Sequence, residues 1–309
     1  MNARANRRDF LRQSAVCSAV AASGLIGTCR IPRARAIEPV VRETTGTKYK
    51  FTLAGYSYRK LLTGQNPPCT LEDFVKDCAR FGLEGTEPTS YYFPQPVTSE
   101  YLCRLKGLAF RLGLSISSTA VGNNFCLPPG EARDKQIADV KQWVDYAEIL
   151  GAPIIRIFSG SQNKQQTAEE AIRLAVEAIE ECCEYSGRKG IYLGLENHGG
   201  LTGTAESMLQ IVRAVSSPWF GVWMDTGNFR SGDVYGELEA IARYTIHVQV
   251  KVVMSSPDGG SQPADYPRIA RILADVGYRG WICLEYEEDD DPRTACPAHL
   301  QKLRAAFSA

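Results

Sequence analysis

Hydrophobic and polar positions along the chain follow two alternating rhythms. Apolar runs of strand length recur, and each is followed by a longer stretch with apolar residues at helical spacing. Eight runs are predicted as strands: Lys50–Tyr56, Leu83–Glu87, Leu114–Thr119, Ile154–Phe158, Ile191–Glu196, Gly221–Asp225, Thr245–Lys251 and Trp281–Glu285. Strands that alternate with helices pair in parallel. Eight such units predict an α/β fold of the (β/α)8 TIM barrel class over residues 45–309.

The predicted helices carry start and stop signals. The segment that begins at Thr70 has the Ser/Thr-x-x-Asp/Glu capping pattern, and the segment that begins at Thr167 repeats it. Glycine follows four helices shortly before the next strand, at Gly82, Gly113, Gly151 and Gly277. These signals support the same element boundaries as the hydrophobic pattern.

The main competing architecture is a doubly wound nucleotide-binding sheet. That fold requires a glycine-rich turn after the first strand, whereas this turn reads Gly55-Tyr56-Ser57-Tyr58-Arg59. The 309 residues suit one barrel of about 250 residues and leave no room for a second domain.

The N-terminal segment has a different composition from the barrel region. The sequence RRDFLR begins at Arg7, a modestly apolar stretch covers residues 14–27, and ARA at residues 34–36 is a small-residue cleavage site. This pattern resembles a twin-arginine export signal. We therefore expect residues 1–36 to be a signal peptide and the mature protein to be periplasmic or otherwise extracytoplasmic. The apolar stretch is shorter than the roughly 20 residues of a membrane span, so no stable membrane insertion is expected after signal removal.

Two other interpretations of this segment stay open. Cys29 follows Thr28 in an imperfect lipoprotein box, so lipid anchoring through Cys29 is a minor alternative. A helix that packs at the N-terminus of the fold is the other.

Composition excludes several classes of protein. Lys+Arg and Asp+Glu balance at 35 each, which argues against a nucleic-acid partner. Three histidines are too few for a site built mainly from imidazoles, such as that of a three-zinc repair nuclease. Of the 10 cysteines, Cys17 and Cys29 fall in the expected signal. The other eight lack CxxC spacing and predict mainly buried free thiols, with one disulfide as the alternative in an oxidising compartment.

Each of the last four predicted strands carries, at or near its end, a polar residue able to bind a divalent metal. Glu196, Asp225 and Glu285 end the fifth, sixth and eighth strands, and the seventh strand carries His247 and Gln249. Because the carboxyl ends of parallel barrel strands meet at one mouth, these side chains are expected to be neighbours. Carboxylate and amide oxygens suit a hard cation, so one divalent metal is predicted, with Mn²⁺ or Mg²⁺ favoured and Zn²⁺ or Co²⁺ as alternatives.

The seventh predicted strand places Thr245, His247, Gln249 and Lys251 on one face by two-residue alternation. Four polar side chains that point into a barrel need partners. Either Gln249 or His247 is the third metal ligand, and Lys251 lies higher, at the rim.

Six motifs together resemble the sugar phosphate isomerase/epimerase family of xylose isomerase-like TIM barrels: GLEGTEP, LGAPIIRIFSG, ENHGG, DTGN, HVQVK and LEYE. The resemblance implies that Glu196, Asp225, Gln249 and Glu285 bind the metal. Many relatives have His at the position of Gln249, in an HxHxK pattern, and some have Gln. It also implies that Glu196 and Glu285 are the catalytic pair.

The resemblance further implies a metal-dependent isomerase or epimerase of a sugar or keto-sugar that transfers a proton through a metal-stabilised enediolate. Substrate-binding residues are expected among His198, Asn228, His247, Lys251, Arg156 and Glu87. For Arg156, an ion pair with a barrel carboxylate is the competing interpretation. The loop aromatics are either a wall over the sugar ring or core packing: Tyr56, Tyr58, Tyr91, Tyr92, Phe93 and Phe125.

Two other functions stay open. A dehydratase or lyase that acts on a keto-sugar or inosose-like substrate would use the same site, and a barrel that binds sugar without catalysis would keep its ligands. The partner expected in each case is a small-molecule sugar, and the oligomeric state, a homo-oligomer included, is open.

Overall fold

A ring of parallel strands forms the centre of the computed structural model, which describes residues 37–40, 42 and 46–308. The strands of the ring are β1 Lys48–Leu53, β2 Gly85–Thr86, β3 Ser115–Ile116, β4 Thr119–Ala120, β5 Ile154–Ile157, β6 Tyr192–Glu196, β7 Phe220–Asp225, β8 Thr245–Lys251 and β11 Arg279–Glu285. Seven pair in the order β1-β11-β8-β7-β6-β5-β4, and β2 pairs with β3. Between β1 and β2, the Gly55 amide donates to the Glu87 carbonyl at 2.8 Å, which closes the ring.

Eight helices of nine residues or more surround the ring in the described residues, and a one-turn helix, Arg59–Leu62, follows β1. They are α1 Leu71–Arg80, α2 Ser99–Arg111, α3 Glu131–Leu150, α4 Ala168–Gly187, α5 Ala205–Ala214, α6 Val234–Ala242, α7 Tyr266–Asp275 and α8 Pro292–Phe307. Each helix packs against the next one in the chain. A short antiparallel hairpin, β9 Val253–Ser255 and β10 Ser261–Pro263, follows β8. The predicted (β/α)8 barrel is confirmed.

The predicted helix signals are present. The Thr70 side chain accepts a hydrogen bond from the Asp73 amide, and the Thr70 amide donates one to the Asp73 carboxylate, which completes the capping box of α1. Thr167 caps α4 through the Glu170 amide. The four glycines after helices all adopt positive φ, between 65° and 78°, a region that other residues enter only with strain.

One predicted strand is interrupted in the observed structure, whereas the bounds of the others shift by at most three residues. The segment expected as Leu114–Thr119 is two separate pieces, because the chain changes neighbours: β3 pairs with β2, whereas β4 pairs with β5. Between them, the Ser117 hydroxyl donates to the Thr86 carbonyl at 3.1 Å and the Ser118 hydroxyl donates to a carboxylate inside the barrel. The Ser117 amide also donates to the Thr86 carbonyl, at 3.0 Å, so side-chain hydrogen bonds supplement the last backbone bond between these segments.

Large and small residues alternate inside the barrel. Trp281 fills the space over Gly85, where an added Cβ would lie 2.7 Å from the indole ring. Trp223 packs beside Gly194 in the same way, at 3.1 Å from such a Cβ. Each indole thus occupies space that a glycine on a neighbouring strand leaves open.

The chain just before the predicted domain boundary at residue 45 contacts the barrel. The Ile37 amide donates to the Val215 carbonyl at 3.0 Å, and the Arg42 guanidinium donates to the Thr245 carbonyl at 2.8 Å. These contacts lie at the N-terminal ends of the strands. The twin-arginine segment lies outside the described residues, so export and lipid anchoring stay predictions.

In the described part of the chain, no helix is both long enough and apolar enough to cross a membrane. The eight cysteines described there are free thiols: Cys69, Cys78, Cys103, Cys126, Cys182, Cys183, Cys283 and Cys296. All of them except Cys103 are buried.

Candidate active site

Three carboxylates meet at the C-terminal mouth of the barrel because each is the last residue of its strand. Glu196 ends β6, Asp225 ends β7 and Glu285 ends β11. They are almost completely buried, at 4%, 0% and 6% exposed. Asn197 fixes the register of the first two strands, because its amide oxygen accepts from the Asp225 backbone and its amide nitrogen donates back, both at 2.8 Å.

Lys251 lies among the carboxylates as the last residue of β8. Its ammonium contacts Glu285, lies 2.9 Å from Glu287 Oε1 and lies 3.3 Å from Asp225 Oδ2. Burial alone would lower the pKa of Lys251, but these carboxylates raise it well above its usual value. Lys251 therefore stays charged and contacts two of the three strand-end carboxylates.

Glu196 has its own cation and amide partners. Arg156 Nε on β5 lies 3.0 Å from Glu196 Oε2, and Asn228 Nδ2 donates to Oε1 at 2.9 Å. The guanidinium also donates to the Tyr91 hydroxyl at 3.2 Å and stacks on Phe158 at 3.9 Å from the ring centroid. Arg156 therefore forms the internal ion pair that was the competing interpretation, and substrate contact by Arg156 or Asn228 stays a prediction.

The three carboxylates carry more negative charge than the two cations balance. Burial raises the pKa of Glu196 to about 7, although Arg156 opposes the rise. Burial likewise raises the pKa of Asp225 and of Glu285 to about 7 against the opposing charge of Lys251. Groups with such values exchange protons readily near neutral pH.

Gln249 faces the carboxylates with its amide nitrogen, not its oxygen. Trp223 Nε1 can only donate, and it donates to Gln249 Oε1 at 2.9 Å. The Gln249 nitrogen then donates to Glu87 Oε1 at 2.6 Å and to Glu285 Oε1 at 3.4 Å. In this arrangement the amide oxygen that a metal would need is already occupied, so ligation by Gln249 requires exchange of the Trp223 hydrogen bond.

Glu87 and His247 form a fully buried pair beneath the mouth. His247 Nε2 lies 2.8 Å from Glu87 Oε2, and the Ser118 hydroxyl donates to the same oxygen at 2.6 Å. The imidazole stacks on Trp223 with 3.9 Å between ring centroids, and both Glu87 and His247 are 0% exposed. Glu87 positions Gln249 and, through it, Glu285, and the substrate contact expected of Glu87 and His247 stays a prediction.

Glu87 and His247 also belong to a second group of potential metal ligands. With Cys283 they bring one ligand atom each to within 4.8 Å of one another. Burial raises the pKa of the Cys283 thiol well above its usual value, which disfavours the thiolate that a metal requires.

The strand-end carboxylates fit a hard divalent cation better. They supply oxygen ligands and excess negative charge, and the buried Asp225 Oδ2 accepts no hydrogen bond, with the Lys251 ammonium 3.3 Å away as its ion-pair partner. Glu196, Asp225 and Glu285 are therefore the residues that would hold the predicted metal.

Two groups lie at the outer edge of the mouth. His198 is exposed after β6 and packs on Phe158 with 4.6 Å between ring centroids. Of the loop aromatics, Tyr91 is 48% exposed and contacts Arg156, so it faces the site. Tyr58, Phe93 and Phe125 are buried in the core, so for them the packing interpretation is correct.

Sequence reasoning missed three contributors to the site. Trp223 orients Gln249 from the neighbouring strand. It lies two residues before Asp225 and so on the same inward face of β7, which was the available signal in the sequence. Ser118 donates to Glu87 from the break between β3 and β4, for which no sequence signal was available. Glu287 follows Glu285 by two residues in an acidic run and contacts Lys251, a contact that the sequence pattern does not reveal.

Comparisons with known proteins agree with this architecture. Residues 75–306 match the family described as xylose isomerase-like TIM barrel. An inosose dehydratase from Erwinia tasmaniensis is 24% identical over 259 residues, which covers 71% of this chain and 83% of the relative.

Two solved structures share the fold. D-psicose 3-epimerase from Clostridium cellulolyticum, solved with D-tagatose, superposes with a TM-score of 0.69 at 16% identity, covering 84% of this chain and 99% of the other. The probable 3-DHS dehydratase of petrobactin synthesis from Bacillus anthracis superposes with a TM-score of 0.64 at 19% identity, covering 84% and 99%.

Proposed function

Since the chain belongs to the xylose isomerase-like TIM barrel family, we propose that it is a divalent-metal-dependent isomerase or epimerase of a sugar or keto-sugar. The observation that carries the proposal is the pair of buried carboxylates Glu196 and Glu285 at one mouth. Arg156 and Asn228 hold Glu196, and Lys251 and Gln249 hold Glu285. The epimerase fold neighbours support an enzyme that acts on sugars.

The proposed chemistry divides between the metal and the side chains. Held by Glu196, Asp225 and Glu285, a divalent cation would polarise a substrate carbonyl and so acidify the adjacent C–H. Glu196 is aimed by Arg156 and Asn228 and accepts the proton from one face of the substrate. Glu285, beside the Lys251 ammonium, delivers a proton to the other face or to the neighbouring carbon.

The charge balance of the mouth favours an unphosphorylated substrate. Within the described residues, Arg156 and Lys251 are the buried cations of the site, and both are already paired with carboxylates. Neither cation is therefore free to pair with a phosphate dianion, whereas sugar hydroxyls can hydrogen-bond to the carboxylates.

A dehydratase that acts on a keto-sugar or inosose-like substrate is the second candidate. The inosose dehydratase relative supports it. The Lys251 ammonium beside Glu285 also supports it, because elimination of water needs a proton donor for the leaving hydroxyl next to the base. An enone product would absorb in the ultraviolet, whereas an epimer or isomer would not.

Site variants test the proposal directly. We expect Glu196→Gln and Glu285→Gln each to abolish exchange of substrate C–H for deuterium, measured by NMR in D₂O with Mn²⁺. Lys60→Met, which removes a rim charge paired with Asp289 at 2.6 Å, serves as the control and should exchange like the parent. Exchange that survives in both Gln variants would refute the assignment of these carboxylates.

A further inference from the structure

The Lys251 ammonium lies where it competes with any divalent cation for the same oxygens. Its partners Asp225 and Glu285 are two of the three carboxylates proposed to bind the metal. Two cations cannot share these oxygens at close range, because the repulsion between them is large in a buried site. Metal binding therefore requires the ammonium to leave Asp225 and Glu285.

The base of the Lys251 side chain is fixed, so any displacement is confined to its tip. The Lys251 amide donates to Thr226 Oγ1 at 3.0 Å. Its stem packs on Gly227, where an added Cβ would lie 2.4 Å from Lys251 Cγ. With the stem fixed against this loop, the ammonium can reach only acceptors close to its present position.

Glu287 is the acceptor within reach. Its Oε1 already lies 2.9 Å from Lys251 Nζ, and its side chain is 39% exposed, whereas those of Asp225 and Glu285 are 0% and 8% exposed. A short movement toward Glu287 would keep the ammonium paired and bring it nearer to water. A buried ammonium without a partner would instead be strongly unfavourable.

Resting on the proposed metal-dependent function, we propose that Lys251 is a resident counter-ion that the divalent cation displaces, and that Glu287 receives the displaced ammonium. Lys251 then keeps the carboxylates paired in the metal-free protein and weakens metal binding by competition. After displacement its ammonium lies at the rim of the mouth.

Mn²⁺ binding to the full chain tests this exchange, with free Mn²⁺ measured by electron paramagnetic resonance. We expect Lys251→Met to bind Mn²⁺ roughly tenfold or more tightly than the parent, because the competing charge is gone. Lys60→Met, which removes a positive charge from the same rim without contacting the strand-end carboxylates, should change the affinity far less. An unchanged or weaker affinity in Lys251→Met would overturn the proposal.

Glu287 is tested in both backgrounds. Glu287→Gln should weaken Mn²⁺ binding when Lys251 is present and have little effect in Lys251→Met, since no ammonium then needs an acceptor. Equal weakening in the two backgrounds would mean that Glu287 itself binds the metal, which contradicts the proposal.

A second control guards against a folding failure. Asp289→Asn removes an acidic charge from the same loop. If Lys251→Met does not fold, Glu287→Gln must still weaken binding more than Asp289→Asn does, and equal effects would overturn the proposal. If the Lys251 and Glu287 variants do not show these affinity changes but metal-dependent proton exchange is intact, this proposal fails and the proposed function stands. If the parent protein binds no Mn²⁺, the proposed function itself fails.

Discussion

Replacing Glu196 by Gln should make the metal-free protein more stable at pH 8. Burial raises the pKa of Glu196 from 4.5 to about 7, even with Arg156 beside it. The ionised carboxylate is therefore destabilising in the folded protein, and Gln is a neutral mimic of its protonated form. Because one pKa unit corresponds to about 1.4 kcal/mol, the free energy of unfolding should rise by up to about 3 kcal/mol above pH 7.

The sign of this effect depends on pH. A carboxyl whose pKa is raised on folding contributes full stability below its unfolded pKa and loses that contribution as the pH rises through its folded pKa. The gain from Glu196→Gln should accordingly be large at pH 8 and close to zero at pH 4.5, where Glu196 is protonated in the folded parent.

Urea unfolding with EDTA at both pH values measures the gain. Glu148→Gln, at a half-exposed surface pair with Lys189, is the control and should stay within about 0.5 kcal/mol of the parent. Destabilisation by Glu196→Gln at pH 8, or an equal change at both pH values, would refute the reasoning from burial.

Three further outcomes are expected. Trp223→Phe removes the donor to Gln249 Oε1, so urea unfolding should show a loss of about 1–3 kcal/mol, while the freed oxygen should tighten Mn²⁺ binding. Gly227→Ala puts a Cβ 2.4 Å from Lys251 Cγ and should cost about 1–3 kcal/mol, whereas Gly232→Ala, with its nearest atom 4.0 Å away, should cost less. The metal-free parent should be more stable at pH 5 than at pH 8 in a thermal melt, because all three strand-end carboxylates have raised pKa values. Bound Mn²⁺ should reverse that trend. A melting temperature that does not change with pH in the metal-free protein would contradict the charge imbalance.

Much of the fold could be predicted because local signals and long-range pairing agree. The period-two face of β8 is inward and buried as expected, from Thr245 to Lys251. Thr70 and Thr167 cap their helices through contacts made within one turn, which depend only on neighbouring residues. The break between β3 and β4 was not predictable, because it depends on which strand lies beside each half.

The site was less predictable because side-chain orientation depends on neighbours that are distant in sequence. Strand ends identified Glu196, Asp225 and Glu285, since parallel pairing brings such positions together. The orientation of Gln249 depends on Trp223, which lies on another strand, and no pattern within β8 reveals it. Glu87, at the end of a short strand, gave no signal that it would be buried under Gln249.

The most direct test of the proposed function is exchange of substrate C–H for deuterium in the unmodified protein, followed by NMR in D₂O across a panel of keto and aldo sugars. We predict exchange at one carbon of at least one sugar with Mn²⁺ present, and its loss after chelation and return when Mn²⁺ is added back. Exchange that continues unchanged after complete chelation would contradict the metal dependence. No exchange on any sugar by a protein that binds Mn²⁺ would contradict proton-transfer chemistry at this mouth.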